Sequence, residues 1–431
     1  MEITVIILFC VLLLLCVIFD IPLLIALIGG LLLFCGYGLK KGHSPKQLVL
    51  MMAEGIKTVK NILITFMLIG MLTALWRAGG TISVIVCYAL KLIHPSIFLP
   101  MVFLTNCFVS ILTGTAFGTA ATMGVICTTM STAVGANPLL VGGAILSGVF
   151  FGDRCSPVST SALLVSELTK TDIFDNIKNM VKSCAVPFVA TIAVYFAAGI
   201  ANNTDNALPD LQAIFEQEFV ISPLAVIPAA VIIILALMKK KVKFIMIVSI
   251  ITSIPVCIFV QGADIIRLPY YMVMGYTAQN AQVATMINGG GIVSMLKAAS
   301  IVCISSSYSG IFNHTGLLKG IEGKISAIYS KTSSYFATLV AAAAASMVAC
   351  NQTLAIILTY QLCQHAEHDN RRFAINLEDT AVVVASLVPW SIASGVPLAA
   401  AGADLSSIPF AVFLYLLPLY RILTVRRERK W

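Results

Sequence analysis

Charge is what this chain has least of. Asp, Glu, Lys and Arg make up 11% of its 431 residues, where soluble globular domains carry roughly 25%. Hydrophobic residues make up 59%, and the mean hydropathy is +0.97. A water-soluble core cannot bury that much apolar surface at this length, so the bilayer is the solvent for most of the chain. Paired cysteines are missing as well. There are 12 cysteines and no Cys-x-x-Cys. Cys10, Cys16, Cys87, Cys257 and Cys303 stand singly in apolar runs, as small buried hydrophobes do, and metal ligands need clustered donors. No clustered nucleophile suggests an enzyme. Gly289-Gly290-Gly291 has no strand before it and is no phosphate or dinucleotide loop. No continuous polar stripe suggests a pore. No resident cofactor or metal is expected. The net charge of +8 reports cytoplasmic loops and not a nucleic-acid partner.

What is present are apolar runs. Residues 3–19 and 23–34 flank Asp20 and Pro22; residues 183–200, 222–238 and 244–260 carry no charge. A span needs about 20 mostly apolar residues, and such runs predict about ten to twelve transmembrane segments. The N-terminus lacks a basic lead and a small-residue cleavage site, so 1–43 reads as a retained helical hairpin.

The basic residues cluster. The groups are Lys40, Lys41, Lys46, Lys57 and Lys60; Lys170, Lys178 and Lys182; Lys239, Lys240, Lys241 and Lys243; Arg371 and Arg372; and Arg421, Arg426, Arg427, Arg429 and Lys430. The positive-inside rule puts all five on the cytoplasmic side, the C-terminus included. The loop 201–221 has Asp205, Asp210, Glu216 and Glu218 and no Lys or Arg, which places it outside.

The two halves of the chain correspond. A separation of 236 residues pairs Gly55-Ile56 with Gly291-Ile292, Trp76 with Phe312, Gly80 with Gly316, Ile85 with Ile321 and Ser110 with Ser346. It also sets Thr115, in Thr113-Gly114-Thr115-Ala116-Phe117-Gly118-Thr119, on Asn351, in Ala349-Cys350-Asn351-Gln352-Thr353. The first half starts in a basic region and ends at the acidic loop; the second starts outside and ends at the basic tail. Flipped landmarks are the signature of an inverted-topology repeat. The divisions are 1–43 N-terminal hairpin, 44–200 first repeat, 201–221 external loop, 222–262 linker helices, 263–420 second repeat and 421–431 basic tail.

In lipid a helix breaks only where protein or water satisfies the freed backbone. Two kinds of break are visible. One is 113–119 with its counterpart 351–353. The other is 148–161, GVFFGDRCSPVSTS, with 388–397, VPWSIASGVP; Gly152, Pro157, Pro389, Gly395 and Pro397 discourage a continuous helix there. Exposed carbonyls and hydroxyls suit a hard cation such as sodium, and helix N-termini suit carboxylates. Asp153 stands out as an ionisable group between apolar flanks. A carboxylate in a partly dry site keeps its proton unless a cation is near, so Asp153 is the expected exchanger of a proton for sodium; the alternative is a structural pair with Arg154. Glu378 and Asp379 are secondary candidates, against the reading that they cap the helix after them. Glu54 reads as a solvated face beside Lys57 and Lys60. His94 and His314 stand alone, and His365 and His368 lie in a polar loop. Gly114 and Gly118 read as small residues for helix packing.

Three ordered segments carry a family resemblance: GTAFGT at 114–119, SGVFFGDRCSP at 147–157 and LEDTAVVVASLVPW at 377–390. They resemble the NhaC-type sodium/proton antiporters of the ion-transporter superfamily, over about 55–400. The resemblance implies an all-α polytopic membrane protein. Each inverted repeat supplies a re-entrant hairpin and a broken helix, motion is elevator-like, and the protein is often a homodimer in the plasma membrane. It puts Asp153, Ser156, Thr113, Thr115, Thr119 and Ser159 in the site from the first half, and Asn351, Gln352, Ser391 and Ser394 from the second. Its implied coupling ions are Na+ and H+. After Ser-Pro the family often continues Ser-Asp-Thr-Thr-Asn; residues 159–163 here read Ser-Thr-Ser-Ala-Leu, one carboxylate and one amide fewer. The expected function is Na+/H+ exchange by alternating access, and the alternative is Na+- or H+-coupled transport of an amino acid or small organic acid.

Overall fold

The computed structural model describes residues 2–428 apart from 20, 22, 91–96, 158, 202–210, 239, 316–331, 350, 365–366 and 368. Several expectations fall outside the described residues: Asp20 and Pro22, His94, Asp205 and Asp210, Lys239, Gly316 and Ile321, His365, His368, Arg429 and Lys430. Among the described residues every regular element is helical, and the one strand-like pairing is a bridge between Tyr276 and Gly289. The ten cysteines whose side chains are described are free.

Four described helices are long and apolar enough to cross a membrane: Lys60–Ala78, Pro138–Cys155, Ile173–Ala201 and Lys243–Val260. A fifth span results if Asn370–Leu387 and Ile392–Ala401, bent by 61° at their junction, count together. Seven further apolar helices have 10–17 residues. Among the described residues, breaks divide several of the apolar runs into shorter helices. Helix Ile173–Ala201 shows how a span is read from its sequence. Its buried residues Asn176, Met180, Cys184, Pro187, Thr191, Tyr195 and Gly199 recur every three or four positions. Val181, Val186, Val189, Val194 and Phe196 are exposed on the remaining surface. An apolar face turned outward is unfavourable in water and expected in lipid.

The order of elements recurs in the two halves. In the first, helix Phe98–Thr113 ends at Gly114 in the left-handed region (φ 65), and the chain restarts at Thr115. Gly114 is thus a terminating glycine and not a helix-packing one. The second arm runs through Ala116–Thr119, a π-turn at Ala120–Gly124 and Val125–Ala133. Asn106 Nδ2 lies 3.5 Å from Cys127 Sγ, so the arms run antiparallel as a hairpin. In the second half Ser334–Ala349 and Gln352–Cys363 form the matching hairpin. A hydrogen bond from the Ser334 hydroxyl to Glu367, just past the second arm, closes it.

A broken helix follows each hairpin. Pro138–Cys155 gives way to extended Ser156 and restarts as Thr160–Thr169. Asn370–Asp379 continues through Ala381–Val384, becomes extended at Val388 and restarts as Ile392–Ala401. The restarted helices cross over: Thr160–Thr169 packs on the second hairpin arm Gln352–Cys363, and Ile392–Ala401 packs on Ala120–Gly124 and Val125–Ala133 of the first. Thr128 Oγ1 donates to Ala401 O at 2.6 Å in the latter contact.

Two backbone contacts fix the halves against each other. A Cβ on Gly55 would sit 2.1 Å from Ser306 O, and one on Gly70 would sit 2.5 Å from Gly291 O. Adding 236 to 55 and 70 gives 291 and 306, so each contact is the other with the halves exchanged. The N-terminal hairpin Glu2–Ile18 and Leu23–Lys40 packs on this frame through edge-on rings. Phe9 meets Phe34, Tyr308 and Trp390 at 4.9, 5.4 and 6.2 Å.

A candidate ion site at the helix breaks

Four breaks bring four polar N-caps into the apolar interior. Thr115 and Asn351 have near-identical extended backbones, with φ −152 and −150. Thr115 Oγ1 accepts from Gly118 N at 3.4 Å and Asn351 Oδ1 from Leu354 N at 2.8 Å. Ser159 Oγ accepts from Ser161 N at 3.2 Å and Ser391 Oγ from Ala393 N at 3.2 Å. Each side chain satisfies an amide that the helix start leaves without an intrahelical partner.

Asp153 lies at the end of Pro138–Cys155, 4% exposed. Ser159 Oγ donates to its Oδ1 at 2.9 Å, and Ser161 Oγ to its Oδ2 at 2.8 Å. Gln352 Nε2, from the opposite half, lies 3.4 Å from Oδ2 and also donates to Val382 O at 3.0 Å. The carboxylate therefore sits where the first broken helix meets the second hairpin tip. Its two closest partners are hydroxyls, and a hydroxyl can turn to offer a lone pair instead of a proton. The same oxygens can thus hold a protonated carboxyl or a sodium ion, a hard cation that seeks oxygen.

The other expected residues divide. Thr113 and Thr119 join hydroxyl to hydroxyl at 2.9 Å, and Thr119 Oγ1 donates to Thr115 O at 2.9 Å, which ties the first hairpin tip together. Ser156 Oγ donates to Ile111 O at 2.7 Å, joining the first broken helix to that hairpin. Asn351 and Ser391 are caps, and Ser394 Oγ turns back to Val388 O at 2.5 Å. None of these three is hydrogen-bonded to Asp153. Ser161 belongs to the cluster although it was not singled out. Its signal lay in the sequence, as a second hydroxyl in the first turn of a helix that starts just past a buried carboxylate.

Arg154 does not pair with Asp153. Successive helical residues point about 100° apart, and Arg154 turns away to Asp379, with both side chains fully buried. It also donates to Ser183 Oγ at 2.9 Å and to Glu378 O at 3.2 Å. The second oxygen of Asp379 lies 2.8 Å from Arg421 Nε. Capping by Asp379 is thereby corrected: Thr380 begins the next helix with no side-chain cap, and the carboxylate is committed to two arginines. Glu378 is fully buried, and among the described residues neither carboxylate oxygen has a hydrogen-bond partner. Glu54 and His314, read as solvated and isolated, lie 2.9 Å apart on the surface.

Comparison with known proteins places the chain. The model of the Na+/H+ antiporter family matches residues 3–167 and 148–426. The malate-2H(+)/Na(+)-lactate antiporter of Bacillus subtilis is 28% identical over 386 residues, covering 86% of this chain and 82% of that protein. The Na(+)/H(+) antiporter NhaC of Alkalihalophilus pseudofirmus is 28% identical over 388 residues, 86% of this chain and 83% of its own. The arginine/ornithine antiporter ArcD of Halobacterium salinarum is 24% identical over 78% of this chain and 71% of its own. With a family match running through both halves and every break described above, this helical membrane protein belongs to the Na+/H+ antiporter family.

Proposed function

We propose that the chain exchanges Na+ for H+ across the membrane by alternating access, with Asp153 as the carboxylate that takes the sodium ion. One observation carries the reading: Asp153 is buried at the meeting point of a broken helix and a hairpin tip, and among the described residues only neutral oxygen- and amide-bearing side chains bond to it. Ser159, Ser161 and Gln352 complete the cation's surroundings, and the first hairpin tip at Thr113, Thr115 and Thr119 with Ser156 forms the adjoining wall. Ser391, Ser394 and Asn351 hold the breaks in shape.

The rest of the reading follows from this site. The two halves are inverted repeats, their hairpins are re-entrant, and together they form a body that moves past a scaffold containing residues 1–43. The protein is a homodimer of the plasma membrane with its C-terminus in the cytoplasm. In proteoliposomes a sodium gradient alone drives proton flux, and Asp153→Asn lowers that flux at least a hundredfold; parental flux in this variant removes Asp153 from the site.

A second reading is favoured by a specific observation: a relative named for malate and lactate is as similar to this chain as one named for Na+ and H+ alone. In that reading the helix N-termini at the breaks hold a substrate carboxylate. Proton flux that appears only when an organic or amino acid is added selects it.

A further inference from the structure

The cation site leaves one buried acid unused. Glu378 is fully buried, and among the described residues neither of its carboxylate oxygens meets a donor. It is close enough to interact electrostatically with Arg154, Asp379 and Asp153. An ionised carboxylate in such a place costs several kcal/mol unless donors or a counter-charge compensate it. The neighbouring guanidinium groups are drawn to Asp379 instead. Arg154 spends its guanidinium on Asp379, Ser183, Met180 O and the backbone carbonyl of Glu378 itself. Arg421 is ion-paired with Asp379, without a hydrogen bond between Nε and Oδ2. In this arrangement burial and the missing donor favour the neutral acid, and the nearby Arg154 favours the carboxylate.

We propose that Glu378 carries the proton of the exchange while Asp153 carries the sodium ion. The inference rests on the proposed Na+/H+ exchange and divides its two cargoes between two acids. It also supplies the second carboxylate that the segment 159–163 lacks. The neutral carboxyl releases its proton to water when a rearrangement opens the site to one side, and the carboxylate left behind faces Arg154. Sodium at Asp153 adds positive charge nearby and favours that release. A proton on Glu378 leaves the surplus positive charge of Arg154 and Arg421 over Asp379 unbalanced and opposes sodium. Such coupling is reciprocal by thermodynamic necessity.

The elements that pack most on Asn370–Asp379 bring further groups to this balance, and Pro138–Cys155 brings Cys155 beside Arg154. Ser334–Ala349 brings Tyr335, whose hydroxyl donates to Asp379 O at 3.2 Å. Val412–Glu428 brings Arg421, and Ile173–Ala201 brings Cys184 as well as the exposed Asp175, Lys178 and Lys182. Gln352–Cys363 brings Tyr360 and Cys363, and Thr160–Thr169 the exposed Glu167. Ala381–Val384 brings no titratable group.

The test separates two partial reactions in proteoliposomes: proton flux driven by a sodium gradient, and the exchange of labelled for unlabelled sodium. Glu378→Gln, which keeps the side chain neutral, is expected to lower proton flux at least tenfold while sodium/sodium exchange persists at the rate the parent shows in acid. That exchange, suppressed by acid in the parent, loses the part of its pH dependence that Glu378 supplies. Glu378→Asp restores proton flux, and serves as the second variant where the Gln variant does not fold. Parental proton flux in Glu378→Gln overturns the inference. So does loss of both reactions together with failure of the Asp variant to restore them, since Glu378 is then structural. Asp153→Asn run alongside keeps the two claims apart: sodium/sodium exchange that survives it sinks the Asp153 reading, whereas proton flux that survives only Glu378→Gln sinks this one.

Discussion

Asp153 and Arg154 are neighbours with different fates, and the difference lies in helix geometry. One side chain faces hydroxyls and an amide; the other faces an acid 225 residues away. Ser159 and Ser161 also differ, although both reach Asp153. Ser159 caps Thr160–Thr169 as well, whereas Ser161 gives its hydroxyl to Asp153 without a capping role. A hydrogen bond to a charged group contributes about 1.5–3 kcal/mol. Ser161→Ala should therefore raise the sodium concentration for half-maximal exchange about tenfold and leave the melting temperature within about 1 °C. Ser159→Ala should weaken sodium similarly and also cost about 1 kcal/mol of stability for the lost cap. Sodium titration of proton flux, with thermal unfolding in detergent, checks both, and equal stability of the two variants contradicts the division. Asp153 was legible from sequence because a charge inside an apolar run needs a reason. The Arg154–Asp379–Arg421 cluster was not, because nothing local tells which buried charges meet across hundreds of residues.

The breaks are the elements that the sequence disclosed best. Gly-Thr at 114–115 and Asn-Gln at 351–352 interrupt runs of apolar residues, and their polar side chains can cap only a helix that starts there. Packing between elements was less visible. The pairing of Gly55 with Gly291 hinted at a repeat, yet nothing in the sequence revealed that each glycine touches the other half's backbone. At Gly70 a Cβ would lie 2.5, 2.7 and 2.8 Å from Gly291 O, Gly291 C and Ile292 N. Backbone cannot rotate away as a flexible side chain does, so the helices must separate. Gly70→Ala and Gly55→Ala should each destabilise the fold by about 1–3 kcal/mol, as overpacking does. Ala at Gly36, where nothing lies within 4 Å, should be nearly neutral. Thermal unfolding of the three variants in one detergent measures this, and a Gly70 variant as stable as the Gly36 variant refutes the close approach.

At the scale of the molecule, the two glycine contacts and the crossed packing of the restarted helices relate the halves by an exchange. The site breaks that symmetry. Aligning the caps Ser159 and Ser391 sets Ala385 opposite Asp153, and aligning Thr115 and Asn351 sets Ala116 opposite Gln352. Only one of the two equivalent places holds a carboxylate and an amide, so the frame is duplicated and the chemistry is not. A two-fold exchange alone does not fix the axis relative to the membrane; an axis along the normal gives parallel repeats and one in the plane gives inverted repeats. The proposed inverted repeat takes its side from the charges. Lys40, Lys41 and Lys46 adjoin the start of the first half, Glu216 and Glu218 lie between the halves, Asp264 starts the second, and Arg371 and Arg372 lie late in it, followed by Arg421 in the tail. In the proposed reading, with basic residues inside, the first half starts inside and the second outside, as the in-plane axis of an inverted repeat predicts. In a cysteine-free background, single cysteines at the exposed Glu216 and Lys240 should then react from opposite sides with a membrane-impermeant maleimide. Glu216→Cys is labelled in intact cells and Lys240→Cys only in inside-out vesicles. A parallel arrangement predicts that cysteines at Lys46 and Gln282, 236 residues apart, are labelled from the same side, and the inverted arrangement predicts opposite sides. Labelling of both from one side therefore eliminates the inverted repeat while leaving the contacts around Asp153 as they are.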